Sequence, residues 1–270
     1  MNFNESFETC LQELGRYVLP ICLHHGHSKT PFFIGSGIPI ELADGLYFAT
    51  AAHVVDGANG EQLWIAGNSK FHALEGPCAR WVYSPGAGFD HDIVVYKLDD
   101  DARGSIEPFY RFIQEADLSV VDEFDKFTLY AFIGYPHSKN KHRPASLGKS
   151  INCTSFYYVV REFANLVEIN ATDKSNHMHI AFKAPQKAAV DLCFDSKQAP
   201  KPQGISGCPV FKIKIDANIG SVSSVSLVGI GIEYLQAKQA FVATRSEYLI
   251  ATIRGLQQKL NATDEEKTSQ

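Results

Sequence analysis

The chain has 270 residues, 45% of them hydrophobic, and its 25 Lys and Arg stand against 30 Asp and Glu for a net charge of -5. That is enough apolar material to bury a substantial core, as one large domain or as two halves sharing an interface. It excludes the strongly basic surface from which nucleic-acid binding draws its affinity, so no nucleic-acid partner is expected.

The opening stretch, MNFNESFETCLQELG, has neither a basic n-region nor an uninterrupted apolar run, and no later segment is long and apolar enough to cross a bilayer. A soluble, cytoplasmic protein with no membrane partner is expected. Its six cysteines are scattered through a chain too long to need staples, and they are expected to stay reduced. Between Glu5 and Leu19, the residues Phe7, Cys10, Leu11, Leu14 and Val18 recur at helical intervals, with Asn4 or Ser6 placed to cap them. A short amphipathic helix is predicted there. Next, IPIELADGLYFATAAHVV shows two β-branched and aromatic runs meeting at Asp44-Gly45, which predicts a hairpin.

Short apolar runs follow at QLWIAG, ARWVYS, DIVVYKL, FTLYAFIGY, TSFYYVV, NLVEIN, HMHIAF, CPVFKIKI, SLVGIGIEYL and QAFVAT, separated by Gly, Asn, Asp and Pro. Many short strands at this spacing predict barrels or sandwiches rather than alternating β-α units. Residues 107–124 are less strand-like and read as a bridge between two halves, and the basic stretch HSKNKHRPASLGKS reads as a solvated connection. From Ser246, Tyr248, Leu249, Ile253, Leu256 and Leu260 share one helical face, with Ser246 as the N-cap, so a C-terminal helix packed on the second half is predicted. The last residues, NATDEEKTSQ, read as a frayed polar tail.

Three pieces of chemistry occur along this framework. ATAAHVV puts His53 at the end of an apolar strand. GFDHDIVVYKL puts Asp92 at the start of another, with Asp90 as a weaker local rival. PQGISGCPVF sets Ser206 between Gly204 and Gly207 just ahead of a third strand. A serine hydroxyl is a poor nucleophile at neutral pH and needs a neutral imidazole to accept its proton. A carboxylate behind the imidazole holds the right tautomer, and fixed backbone N–H groups stabilise the oxyanion. Ser206, His53 and Asp92 are the candidates for those three roles, with the N–H groups of Gly204 and Ser206 as the oxyanion donors. Cys208 follows the turn and is not the preferred nucleophile. The histidine groups HHGH and HMH lack companion carboxylates or thiolates, so His177 and His179 are read as surface residues and no metal or other cofactor is expected.

The same residues resemble the chymotrypsin-fold serine peptidases. TAAHV is similar to the histidine motif of that family, HDIVVYKL to its aspartate segment and GISGCPVF to its nucleophile loop, in the family's order; FIGYP and LVGIGIEY are weaker matches. The resemblance covers about residues 20–258. It implies a mainly β fold of two antiparallel six-stranded β-barrels, with a short N-terminal helix and a C-terminal helix. The expected division is an N-terminal extension (1–19), a first barrel carrying His53 and Asp92 (20–120), a second barrel plus C-terminal helix carrying Ser206 (121–258), and a polar tail (259–270). The implied activity is that of a serine endopeptidase of bacterial type acting on a polypeptide substrate.

Departures from the family pattern refine this reading. Ile205 stands where pancreatic-type relatives have an aspartate that pairs with a newly cut N-terminus, so that route of activation is not expected, and an activating protein partner is kept as an option. Cys208 replaces a glycine. Gly229 takes the place of a serine that steadies the aspartate in many relatives. Pro200 stands where trypsin-like members keep an aspartate, which implies a modest apolar pocket walled by Pro200 to Gln203, by Gly229, Ile230, Gly231 and Ile232, and by Ala240 to Val242, with Asp195 or Glu233 as charged exceptions; Ile230 to Ile232 offer a strand edge to the substrate. The alternative is a catalytically silent protease-fold module that binds without turnover.

Overall fold

The computed structural model describes residues 3–23, 32–67, 71–81, 91–119, 128–140, 153–160, 177–181, 200–216 and 218–268. The chain starts with helix α1 (Phe3–Leu14), tightened into a 3-10 turn over Gly15–Tyr17. Phe7, Leu11 and Leu14 are buried, as their helical spacing requires; the helix ends short of the predicted Leu19, and Val18 is buried in extended backbone instead. Asn4 and Ser6, predicted as caps, lie inside the helix instead.

Strands β1 (Leu19–Leu23), β2 (Phe32–Leu42) and β3 (Gly45–Ala51) follow, then a short helix α2 (Ala52–Asp56). The β2–β3 turn is Ala43-Asp44, one residue earlier than predicted. Gly45 already pairs with Leu42, and its φ of 143° is one that glycine adopts readily. Strands β4 (Leu63–Ala66), β5 (Phe71–Ala73), β6 (Cys78–Arg80) and β7 (Ile93–Lys97), helix α3 (Asp101–Ile106) and the two-residue β8 (Ile113–Gln114) complete this half. They form an eight-stranded sheet in the order β5-β4-β1-β2-β3-β7-β6, with β8 parallel to β2.

The second half contains β9 (Thr128–Gly134), a one-turn helix α4 (His137–Asn140), and strands β10 (Phe156–Val160), β11 (His177–Ala181), β12 (Cys208–Asp216), β13 (Ser221–Leu235) and β14 (Ala240–Arg245). Their order in a six-stranded antiparallel sheet is β10-β9-β12-β13-β14-β11. The protein is thus mainly β. Among the described residues neither sheet order returns to its first strand, so the architecture is two largely antiparallel sheets rather than the two closed six-stranded barrels expected from sequence, and the first sheet has eight strands. The NLVEIN run, the HHGH group, Asp90, Asp195 and most of the basic stretch lie outside the described residues.

Alternation along the strands explains why so many of them read as unbroken apolar runs. In β3, Tyr47 and Ala49 face one core while Leu46 and Phe48 face another; in β7, Ile93 and Val95 separate from Val94 and Tyr96 in the same way. In β9, Leu129, Ala131 and Ile133 join the first of these cores, and Tyr130 and Phe132 fill a third. The shared core takes residues from both sheets and from both terminal helices; the second draws mainly on the first half but also takes Ile232 of β13 and Val242 of β14, and the third lies within the second half. Strands with both faces buried have no reason to alternate with polar residues. Each large side chain so buried contributes about 1.5–3 kcal/mol before conformational entropy is subtracted.

Helix α5 (Ser246–Thr268) buries Leu249, Ile253 and Leu256. It differs from its prediction in three ways. It continues to Thr268, through most of the stretch read as a frayed tail. Ser246 is its first residue, and its hydroxyl donates to the Ser119 carbonyl at 2.6 Å instead of capping the helix. It also packs on β6 and β7 of the first sheet as well as on β13 and β14 of the second. Among the described residues, no helix is long and apolar enough to cross a membrane.

Candidate active site

Strand register brings the histidine and the aspartate together. β3 and β7 are antiparallel with Ala51 opposite Ile93, so the residues just after β3 lie beside those just before β7. His53 is therefore in α2 rather than in the strand itself, and Asp92 immediately precedes β7. His53 Nδ1 is 2.6 Å from Asp92 Oδ2, and the His53 backbone N–H donates to Asp92 Oδ1 at 2.9 Å. With a carboxylate as acceptor, Nδ1 carries the proton and Nε2 is the basic nitrogen. The helix is tethered in turn by Arg80, which donates to the Ala52 carbonyl at 3.0 Å and to Asp56 at 2.6 Å.

The Asp92 hydrogen bond holds the His53 imidazole above the ordinary histidine pKa; partial burial opposes the rise, and the negative charges of Asp92, Glu233 and Asp56 add to it. The His53 side chain is half exposed and that of Asp92 one-fifth exposed, so the imidazole is open to solvent while the carboxylate is largely covered. Asp92 has φ 49°, in the left-handed region, which costs a non-glycine residue about 1–2 kcal/mol. Neighbouring contacts must hold it there.

The serine turn is built by backbone bonds. Ile205 N–H donates to the Pro202 carbonyl at 3.3 Å, Gly207 N–H to Gly231 at 2.7 Å, and Cys208 N–H to Ile205 at 2.9 Å. Gly207 has φ 85°, and a Cβ there would sit 2.0 Å from the Ser36 carbonyl oxygen and 2.3 Å from Thr50 Oγ1. Only glycine fits. Gly204 has φ 90°, and the carbonyl of the preceding Gln203 accepts the His137 N–H at 2.7 Å. Because a trans peptide points its C=O and N–H in opposite directions, the Gly204 N–H is aimed away from α4. Among the described residues, neither Gly204 N–H nor Ser206 N–H donates to a backbone carbonyl. Ile205 is buried in the core of the second sheet, so this turn is anchored by apolar packing.

Ser36 on β2 joins the two halves and was missed in the sequence reading. Its N–H donates to the Ser206 carbonyl at 2.8 Å, its carbonyl accepts Thr50 Oγ1 at 2.8 Å, and its Oγ accepts the Tyr135 N–H at 3.1 Å. A fully buried serine must find partners for its polar atoms, and this one links three segments through them. The available signal was a polar residue between two glycines in the apolar run FFIGSGIPI.

The Ser206 hydroxyl donates to the Ile232 carbonyl at 3.2 Å; among the described residues it makes no hydrogen bond to His53. Ile230 and Gly231 pair with β12 on one side and β14 on the other, so their backbones offer no free edge. The ladder to β12 ends at Gly231 and Cys208, and among the described residues the β13 edge open on that side runs from Ile232 onward, later than the Ile230–Ile232 edge expected. Gly229 lies opposite Val210 and Arg245. The Pro200 carbonyl accepts the Tyr158 hydroxyl at 3.1 Å.

An open cavity of about 480 Å³ adjoins His53, walled by Phe32, Phe33, Ile34, Val54, Gly57, His137, Gln203 and Gly204. Of the predicted pocket residues it includes Gln203, and its aromatic wall from β2 was not anticipated. Cys208 is fully buried and its thiol is pushed up to about 12, which leaves it protonated and inert at neutral pH. His177 and His179 are buried, contrary to the surface positions expected of them; two apart on β11, they share the face that is covered, opposite Thr244 and Val242 of β14. Among the described residues, no group of three or more His, Cys, Asp or Glu side chains is arranged to hold a metal ion.

No protein-family model and no curated protein matches the chain. Among solved structures, the serine endoprotease from Yersinia pestis is similar with a TM-score of 0.47 and 14% identity, over 95% of this chain and 66% of that one.

Proposed function

We propose that this chain is a serine endopeptidase of the double-barrel type, with Ser206 as nucleophile, His53 as general base and Asp92 as the acid behind it. The observation that carries the proposal is the two-point contact of Asp92 with His53, one carboxylate oxygen on the ring nitrogen and the other on the backbone N–H of the same residue. That arrangement fixes both tautomer and ring orientation, as nucleophilic catalysis by serine requires.

In the proposed reaction, His53 Nε2 takes the proton from Ser206 Oγ as the oxygen bonds to the peptide carbonyl carbon. The oxyanion is met by the N–H groups of Gly204 and Ser206. His53 then gives its proton to the leaving amine as the C–N bond breaks. Water, with His53 again as base, hydrolyses the acyl-enzyme. The acyl portion of the substrate would lie along the open edge that begins at Ile232. The hydroxyl must first leave the Ile232 carbonyl, and giving up one neutral hydrogen bond costs about 0.5–1.5 kcal/mol.

The resting bond of Ser206 favours a second reading, in which a protein partner that docks near the turn releases the hydroxyl, or in which the site binds peptides without cleaving them. A fluorophosphonate probe separates these. Labelling of the wild type and not of Ser206→Ala supports the peptidase, labelling that appears only with a partner supports the switched form, and no labelling under either condition supports the silent module.

A further inference from the structure

The two-point contact between Asp92 and His53 only orients the ring if the aspartate is itself held. Both peptide groups flanking its left-handed α-carbon are pinned. On the C-terminal side, the Asp92 carbonyl accepts the Ala52 N–H at 2.9 Å. On the N-terminal side, the His91 carbonyl accepts the hydroxyl of Thr244, a fully buried residue of β14. The His91 imidazole is also clamped. It stacks on Tyr248 of α5 with ring centroids 3.9 Å apart at 21°, meets the edge of Trp81 at 4.7 Å, and has His177 of β11 at 6.0 Å. Trp81 closes the cluster against Tyr248 at 5.6 Å.

These contacts have a common origin. Ala52 belongs to the first half, but Thr244 and Tyr248 flank the junction of β14 with α5, and β14 belongs to the second sheet. The rotation that would relax Asp92 to negative φ turns the peptide between His91 and Asp92, the unit that the Thr244 hydroxyl and the aromatic clamp hold.

We propose that Thr244 and Tyr248 are positioning residues for Asp92, so that the β14–α5 junction of the second half keeps the acid of the first half on His53. The consequence for rate rests on the peptidase reading; the consequence for the hydrogen bond does not. Removing either contact lets Asp92 relax, turns its carboxylate off Nδ1 and releases the imidazole tautomer.

The test uses the full-length protein and the variants Thr244→Val and Tyr248→Leu, with Thr244→Ser and Tyr248→Phe as conservative partners. Tyr248 is half-buried, so Tyr248→Leu is the variant expected to fold even where the buried Thr244→Val does not. The first readout is the far-downfield proton resonance of the His53 Nδ1–Asp92 bond, assigned by its absence in Asp92→Asn. It is expected to weaken or disappear in Thr244→Val and Tyr248→Leu and to return in Thr244→Ser and Tyr248→Phe. The second readout is kinetic: kcat falls roughly 10- to 100-fold with KM nearly unchanged, as for misplacement of a group remote from substrate. The acid limb of the pH profile, set by His53 with Asp92, Glu233 and Asp56 around it, moves down toward the ordinary histidine value. A folded Thr244→Val or Tyr248→Leu protein that keeps the resonance overturns the proposal. If the wild type takes no fluorophosphonate, the peptidase reading fails while the resonance still decides whether these residues hold Asp92.

Discussion

The two halves of the candidate site are in different states of readiness. On the first-sheet side, imidazole and carboxylate are already at 2.6 Å, held by strand register, by the Ala52 N–H and by contacts from the far half of the molecule. On the second-sheet side, the turn around Ser206 is rigid in its backbone, yet its hydroxyl rests on the Ile232 carbonyl rather than on His53. Preorganisation here is thus greatest in the parts that need many contacts to build. A carboxylate on a strained backbone cannot be oriented by a single bond rotation. A serine hydroxyl can, so leaving it on a nearby carbonyl costs little.

The largest expected effect comes from removing the mobile element of that contrast. Ser206→Ala is predicted to lower peptidase kcat by about 10⁶-fold and to abolish fluorophosphonate labelling, measured on a protein with wild-type circular dichroism. Asp92→Asn breaks the assembled side. Its geometry can survive, but the amide no longer holds the productive tautomer, and kcat should fall by about 10⁴-fold in steady-state assays. Should Asp92→Asn retain wild-type kcat, the first-sheet pair would be structural only.

Gly207→Ala tests the rigid part of the serine side. Its Cβ would fall 2.0 Å from the Ser36 carbonyl oxygen, so the turn must shift and the bond between Ser36 and Ser206 must give. A loss of roughly 2–4 kcal/mol in denaturant unfolding is expected. Wild-type stability in that variant would show that the turn adapts more freely than its bonds imply.

The smallest and most diagnostic effect is that of pH. His53 must be neutral to act as a base, so kcat/KM should rise with pH through a pKa above the ordinary value of about 6.5. Stability runs the other way. A pKa raised in the folded state means that the folded protein binds the proton more tightly. The contribution from His53 is therefore full below the ordinary histidine pKa and is lost as pH rises through the folded one. Comparing urea midpoints of wild type and His53→Gln across that window should show the stability difference shrinking as activity grows.

Much of the fold was legible because local chemistry and tertiary demand agree. The spacing of Phe7, Leu11 and Leu14 and that of Leu249, Ile253 and Leu256 marks helix faces that the core covers. The doubly apolar runs of β3, β7 and β9 mark strands packed on both faces. Of the site, the glycines around Ser206 were readable since positive φ and close backbone approach leave a trace in residue type. Ser36, Thr244 and Tyr248 were not, because their roles depend on partners that lie 170, 153 and 157 positions away in the sequence. The open strand edge was displaced because a ladder's end depends on where its partner strand stops.

By itself, the sequence determined both terminal helices and most of the longer strands, though not β1, β5 or the short helices α2, α3 and α4; it also determined which turn demands glycine and which residue types are candidates for nucleophile, base and acid, since backbone preference and side-chain chemistry are local properties. Tertiary structure alone decided that His53 and Asp92 meet through the register of β3 with β7, that Ser36 ties the serine turn to the opposite sheet, and that α5 braces the aspartate from across the molecule. Those contacts join residues far apart along the chain, and only the packing of two sheets and two helices around a shared core brings them within bonding distance.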